Sequence, residues 1–308
     1  MAIVNVFKTQ CFNCSRIKFG IQHMGERSFK RHLCQVSSQV QQGKHQGTEL
    51  NAKKAAMLCV GDEILNGTIV DTNTPWLAKF LHARGVDLVR VEYVPDECDE
   101  IAESAKRCRA KVGQDGFVFT SGGIGPTHDD KTYEAIAKAL GLKIELHEET
   151  RKRMELHYKE RNVELNESRL RMAHLPAPCS VLAPPKGSWV PLVKAGGNVY
   201  ILPGIPRLFQ SMIENHESVF RGVQACSSDI FLNLGEGDLA EQLSAIASEN
   251  PKVRIGSYPN TDWDMNKGED QNVSYRVKIQ VQGRDEGAVA KAVQAVKECF
   301  SSHLVRGL

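Results

Sequence analysis

Aromatic residues are scarce in this 308-residue chain, at 6%, and the formal charge nearly cancels, at +2. So small a net charge gives no electrostatic reason to expect a nucleic acid or an acidic membrane surface as partner. No apolar run approaches the ~20 residues that a helix needs to cross a bilayer. The nine cysteines are mostly scattered. Cys11-x-x-Cys14 is the one close pair, and no second pair or Cys/His cluster completes a zinc site with it. Cys59, Cys98 and Cys108 sit in apolar or helical patterns, so the thiols read as reduced and mostly buried, in a reducing compartment. Acids are scarce in the first fifty residues. Glu26 is the only one before Glu49, whereas Lys8, Arg16, Lys18, Arg27, Lys30, Arg31 and Lys44 supply positive charge. A basic, Ser/Gln-rich leader without apolar periodicity reads as a transit peptide over residues 1–50, most simply mitochondrial. The alternative is a disordered tail on a cytoplasmic protein.

From residue 55 the chain alternates strands and helices. Ala56–Val60 is a continuously apolar run, as expected of a parallel strand covered on both faces. Asn73 or Thr74 caps a helix that Pro75 starts and Gly85 ends. A strand over Val86–Val94 leads to a helix over Glu97–Val112 with inward-facing Ile101, Ala105, Cys108 and Val112. Phe117–Thr120 is a third strand, followed by a glycine-rich loop and a helix over Asp130–Leu140. Glu148–Arg161 reads as an exposed helix, Pro176–Pro191 as irregular, and Asn198–Leu202 as a buried strand with a helix after Pro206. This order predicts an α/β domain over residues 55–224: a mostly parallel sheet between two helix layers. Residues 225–308 change rhythm. Strands at Asp229–Leu234, Val253–Tyr258 and Tyr275–Gln282, with helices at Asp238–Ala247 and Glu286–Phe300, predict a small α+β domain. The polar stretch Asn260–Gln271 reads as a loop.

Ser121-Gly-Gly-Ile-Gly-Pro-Thr-His-Asp-Asp130 carries the strongest chemical signal. Glycines directly after a buried strand let the backbone approach a ligand, and the following helix offers unpaired N–H groups to an anion. The loop is neither a Walker loop nor a G-x-G-x-x-G fingerprint. Ligands of such sheets bind beyond the carboxyl ends of the strands, where Gly61-Asp62-Glu63, Asp96, the glycine loop and Leu202-Pro203-Gly204 all fall. Asp129 or Asp130 can cap the helix. Yet several carboxylates beside a phosphate would repel it unless a divalent cation lies between them, so a magnesium-, manganese- or cobalt-like ion is expected. His128 reads as a solvent-facing loop residue.

Taken as an ordered set, Gly61-Asp-Glu-Ile-Leu-Asn-Gly67, Asp71-Thr-Asn73, Val94-Pro-Asp-Glu97, Ser121–Asp130 and Leu202-Pro-Gly-Ile-Pro206 resemble the molybdopterin-binding Mog/MoaB-like family. Within it the chain looks most like the amino-terminal, molybdopterin-binding-like domain of eukaryotic FAD synthase. That resemblance continues through Gly256-Ser-Tyr-Pro259, and CinA proteins carry a related domain. The resemblance implies the Mog/MoaB-like fold and an oligomer. It places the phosphate or pterin end on Ser121, Gly122, Gly123 and Gly125, with Thr127, Asn73 and Gly204 alongside. Asp96 and Asp130 match two acidic positions of the adenylating relatives' site, and Asp62 and Glu63 share its rim. Leu208 stands where many CinA-like relatives have Glu. FAD synthase adds an adenylylating domain that this chain, ending at Leu308, has no room for.

These readings lead to a metal-dependent hydrolase of FAD or a similar dinucleotide pyrophosphate, releasing FMN and AMP. Asp62, Asp96 and Asp130 are its candidate catalytic carboxylates. Asp62, Glu63, Asp129 and Asp130 are the candidate metal ligands, and Tyr258 is a stacking surface for the flavin. Two alternatives stay open: molybdopterin binding or adenylyl transfer in molybdenum cofactor synthesis, and a flavin- or pterin-nucleotide module without turnover.

Overall fold

A computed structural model describes residues 52–263 and 274–305. The leader, and the part of the Asn260–Gln271 loop beyond Trp263, lie outside the described residues. In chain order the elements are β1 (Lys53–Val60), α1 (Asp62–Leu65), α2 (Asn73–His82), β2 (Val86–Val94), α3 (Cys98–Val112), β3 (Phe117–Ser121) and α4 (Thr132–Leu140). Then come β4 (Lys143–Leu146), α5 (Glu148–Glu160), α6 (Glu167–Leu170), a 3-10 turn (Arg171–Ala173), β5 (His174–Ala177), β6 (Cys179–Leu182), β7 (Leu192–Ala195), β8 (Val199–Ile201) and α7 (Pro206–Glu214). The remainder is β9 (Cys226–Leu232), α8 (Glu236–Glu249), β10 (Val253–Pro259), β11 (Val277–Gly283) and α9 (Glu286–Cys299).

The larger sheet has the order β2-β1-β3-β8-β7-β6. Its first four strands run parallel, and β7 and β6 close one edge antiparallel. Successive residues of β1 point to opposite faces, and both faces are covered. Ala56, Leu58 and Val60 pack with Ile101, Ala105 and Cys108 of α3 and Ile136 of α4. Ala55, Met57 and Cys59 pack with Leu77, Phe80 and Leu81 of α2 and Phe209, Met212 and Ile213 of α7. The result is a three-layer α/β domain. It explains why β1 reads as an unbroken apolar run rather than an alternating one.

The smaller sheet, β10-β11-β9, is antiparallel. Val277, Ile279 and Val281 of β11 face a core built with Leu239 and Leu243 of α8 and Val289 and Val296 of α9. The Arg284 guanidinium fastens this small α+β unit to the start of β2. It donates to Asp87 at 3.1 and 3.2 Å, to the Val223 carbonyl at 2.9 Å and to the Gly85 carbonyl at 3.2 Å.

The sequence expectations need three corrections. The stretch Pro176–Pro191 is not wholly irregular, because His174–Ala177 and Cys179–Leu182 are strands; β5 pairs with the unforeseen β4 and β6 with β7. The helix expected from Asp130 begins at Thr132, two residues later. The strand expected over Asp229–Leu234 runs instead over Cys226–Leu232.

Candidate functional site

The carboxyl ends of β1, β3 and β8 open into one cavity of about 650 Å³. Its floor is the glycine loop from Ser121 to Pro126, met from the other side by Pro203, Gly204 and Ile205. Asn73 ties the two together. Its amide donates to Ser121 Oγ at 2.9 Å and to the Gly204 carbonyl at 2.8 Å. Asn73 is 4% exposed, and its Oδ1 is buried without a partner among the described residues. A buried unpaired acceptor is costly, so this residue is placed for more than packing.

The glycines answer first to their own neighbours. Gly122 and Gly123 have φ of 105° and 65°, a region that side-chain-bearing residues rarely adopt. A Cβ on Gly122 would strike the Val60 carbonyl, and one on Gly123 would strike the Thr132 hydroxyl. Thr132 also donates to the Gly122 carbonyl through its hydroxyl and to the Gly123 carbonyl through its N–H, at 2.9 and 2.8 Å. The glycine signal is therefore partly architectural. The N–H groups of Gly123 and Ile124 nevertheless make no hydrogen bond among the described residues and remain able to meet an anion.

Asp130 has a different position from the helix cap or free ligand that its sequence suggests. Its carboxylate turns back into the loop, accepting from the Gly125 N–H at 2.6 Å, the Thr127 N–H at 2.9 Å and the Thr127 hydroxyl. The N–H groups of Gly125 and Thr127 are thus engaged by Asp130 and not open to a phosphate. Arg171 completes the fastening from outside. It donates to the carbonyls of Thr127 and Asp130 at 2.7 and 2.8 Å while pairing with Glu134 at 3.0 Å.

Two acidic groups border the cavity. Asp71 Oδ1 accepts from the N–H groups of Asn73 and Thr74, capping α2, and its Oδ2 accepts from the Tyr93 hydroxyl. Burial pushes the Asp71 carboxyl up, but these bonds and that from the Thr74 hydroxyl outweigh it and hold the group below its ordinary value. Beside it, burial pushes the Cys59 thiol up to about 12, so this cysteine is no nucleophile at neutral pH. The second group is a rim. Asp96 Oδ2 accepts from the Asp62 N–H at 3.0 Å. Burial, then the charges of Glu63, Asp62 and Asp129, push the Asp96 carboxyl above its ordinary value. Of these four, only Glu63 lines the cavity itself. Among the described residues, no three carboxylate, histidine or cysteine groups converge on a point that could hold a metal ion.

The same stretch of chain matches the model of one protein family, "Probable molybdopterin binding domain", over residues 56–220. The chain belongs to that family. Residues 224–307 match a second model, "FAD synthase, middle domain". A "Probable FAD synthase" of Caenorhabditis elegans is 28% identical over 82% of this chain, which spans about half (51%) of that relative's length. A protein of Pyrobaculum calidifontis is 30% identical over 80% of this chain and 97% of its own length. Among solved structures, the protein CinA from Thermoplasma acidophilum is 33% identical, covering 55% of this chain and 99% of its own, with a TM-score of 0.49.

Within this molybdopterin-binding domain, Ser121, Gly122, Gly123, Gly125, Asn73, Gly204, Glu63 and Asp130 all line the one cavity. Thr127 lies at its edge through Asp130, and Asp62, Asp96 and Asp129 stand on the rim. Tyr258 does not line the cavity. It sits on β10, half-exposed, with the Lys278 ammonium 5.2 Å from its ring. The aromatic surface of the cavity comes instead from Tyr158 on α5 and Trp189 before β7, with Met172 between the two in sequence, and from the buried Tyr133 of α4. The motifs hold no trace of them, nor of Arg171. The only hint was an apolar Trp189-Val190-Pro191 in a stretch read as irregular.

Proposed function

We propose that this chain hydrolyses the pyrophosphate of FAD or a similar dinucleotide, giving FMN and AMP in the flavin case. The observation that carries the reading is the cavity itself. A single space of about 650 Å³, large enough for a nucleotide, is bordered by the free N–H groups of Gly123 and Ile124, the Glu63 carboxylate and an aromatic wall. The relation to proteins named FAD synthase supports the flavin.

A divalent cation is part of the proposal, and the donor set fits one in a particular way. Magnesium-like ions are held by one or two carboxylates plus the phosphates of a substrate, not by a complete protein cage. Glu63, reaching the cavity, and Asp62 beside it would hold such an ion with the pyrophosphate. When bound, the cation supplies charge neutralisation and polarises a phosphoryl oxygen. The chain's own groups do the rest. The Gly123 and Ile124 N–H groups hold one phosphate and stabilise the charge that develops on its oxygens. Asp96 Oδ1, which has no partner among the described residues, takes the proton of the attacking water. The new P–O bond forms as the bridging P–O bond breaks, and the leaving phosphate departs with that electron pair.

A second reading, binding or adenylyl transfer on molybdopterin, is favoured by the family match over residues 56–220. A third reading is a module that binds a flavin or pterin nucleotide without turnover. Incubation of the full chain with FAD, NAD and ADP-ribose under magnesium, manganese and cobalt separates the three. FAD should disappear only with added metal. If all three dinucleotides stay intact while a pterin binds tightly, the molybdopterin reading replaces the hydrolase.

A further inference from the structure

We propose that Trp189 and Tyr158 form the subsite for the isoalloxazine ring of a flavin nucleotide whose phosphate lies on the glycine loop. Both side chains line the cavity together with Ile64, Ile69, Val70 and Ile205. They come from different elements, 31 positions apart in sequence, and meet with ring centroids 6.2 Å apart at an interplanar angle of 47°. His157, outside the cavity, packs against both, with its ring 5.4 Å from Tyr158 and 6.1 Å from Trp189. The Arg169 guanidinium lies 5.3 Å from the Tyr158 ring and braces it from α6.

Three features distinguish this wall from ordinary core. Trp189 and Tyr158 are only half-buried, whereas the aromatic residues of the core, Phe119, Tyr200, Phe209 and Phe220, are almost wholly covered. Aromatic residues are few in this chain, and Phe80, Phe117, Phe119, Tyr200, Phe209 and Phe220 lie together in one buried cluster. The two rings also stand on the same cavity as the unpaired N–H groups of Gly123 and Ile124, so a ring and a phosphate of one ligand can be met together. The spacing of the wall favours a broad ligand. With the two rings 6.2 Å apart and inclined at 47°, a fused three-ring system stacks on one and still meets the other at its edge, while an adenine covers one of them.

This inference rests on the cavity being a nucleotide site but not on turnover, so it is tested by binding alone. The full chain in chelator is dialysed to equilibrium against FMN, AMP, a pterin phosphate and inorganic phosphate. FMN should bind more tightly than AMP or inorganic phosphate. Trp189→Ala and Tyr158→Ala should each weaken FMN by about 5- to 150-fold, the usual consequence of losing one stacking partner. Their affinity for inorganic phosphate should be unchanged, and Trp189→Phe should recover most of the FMN affinity. Melting temperatures of the variants check that each is folded. FMN affinity unchanged in both alanine variants would overturn the proposal, as would equal loss of FMN and inorganic phosphate. AMP or pterin phosphate binding more tightly than FMN, with the same dependence on Trp189, would overturn the flavin assignment. A chain that binds FMN through Trp189 yet leaves FAD intact with every metal would sink the hydrolase and keep this subsite. FAD hydrolysis with an unaltered KM in Trp189→Ala would do the reverse.

Discussion

Asp130→Asn separates a loop fastener from a metal ligand. The carboxylate accepts from the Gly125 N–H through Oδ1 and from the Thr127 N–H and hydroxyl through Oδ2. An amide keeps one acceptor oxygen, so it can serve only one side and turns an NH2 toward the donors on the other. Loss of one hydrogen bond to a charged acceptor is worth about 1.5–3 kcal/mol. Asp130 is half-exposed, and water offsets part of that loss, which leaves about 1–2 kcal/mol by the same scale. For a fold of this size the melting temperature should fall by about 2–8 °C. The drop should be the same in chelator and in magnesium, because the bonds are the chain's own. Affinity for inorganic phosphate, read by equilibrium dialysis, should fall by about tenfold if the whole of that energy holds the loop in its binding form. Scanning calorimetry with and without metal is the assay. A variant that melts like the parent in chelator but loses stabilisation by magnesium would refute the reasoning and return Asp130 to the metal.

Arg171→Ala removes two donors to loop carbonyls and the Glu134 pair. Hydrogen exchange of the loop amides should quicken, and Arg171→Lys should restore less than half of the protection, since an ammonium cannot span both carbonyls. Arg284→Ala leaves Asp87 with only the exposed Arg254, 3.9 Å away, at an interface where the Arg284 and Asp87 side chains are about one-fifth exposed. Stability should fall by roughly 3 kcal/mol, and trypsin should cut after Arg221, releasing the small domain, where it spares the parent. Glu92 carries the pH dependence. Burial pushes its carboxyl up, but bonds from Arg107, Ser104 and Arg90 outweigh it and lower the group from 4.5 to about 2. A depressed acid stabilises the fold above its unfolded value and loses that contribution as pH falls through the folded one. Glu92→Gln should therefore be less stable than the parent at neutral pH, with the difference closing between pH 4.5 and about 2 in acid melts.

The parallel half of the fold was legible because strands buried on both faces leave runs such as Ala55–Val60, and because helix ends carry caps and glycines. The antiparallel edge was not. Its strands β6 and β7, like β4 and β5 of the separate two-stranded pair, hold four residues each, too few for a period to register, and Pro176 and Pro178 speak against strand. The floor of the site was legible through the glycine loop, Asn73 and Gly204. The roles within it were less so, because a carboxylate five residues beyond a glycine looks the same whether it turns inward or faces a ligand. Tyr158 and Trp189 left no motif for a related reason. One sits on a helix dense in charge and the other in a segment without periodicity, and only the path of the chain between α5 and β7 brings them together.

Hydrolysis of FAD in water enriched in oxygen-18, with added magnesium, manganese or cobalt, reads the proposed bond cleavage directly. Mass spectrometry of the products should find FMN and AMP in equal amounts, one of them carrying a single heavy oxygen on its phosphate and the other none. Chelator should abolish both products. FAD that remains intact with every metal, or that breaks down without heavy oxygen entering either phosphate, would contradict pyrophosphate hydrolysis by this cavity.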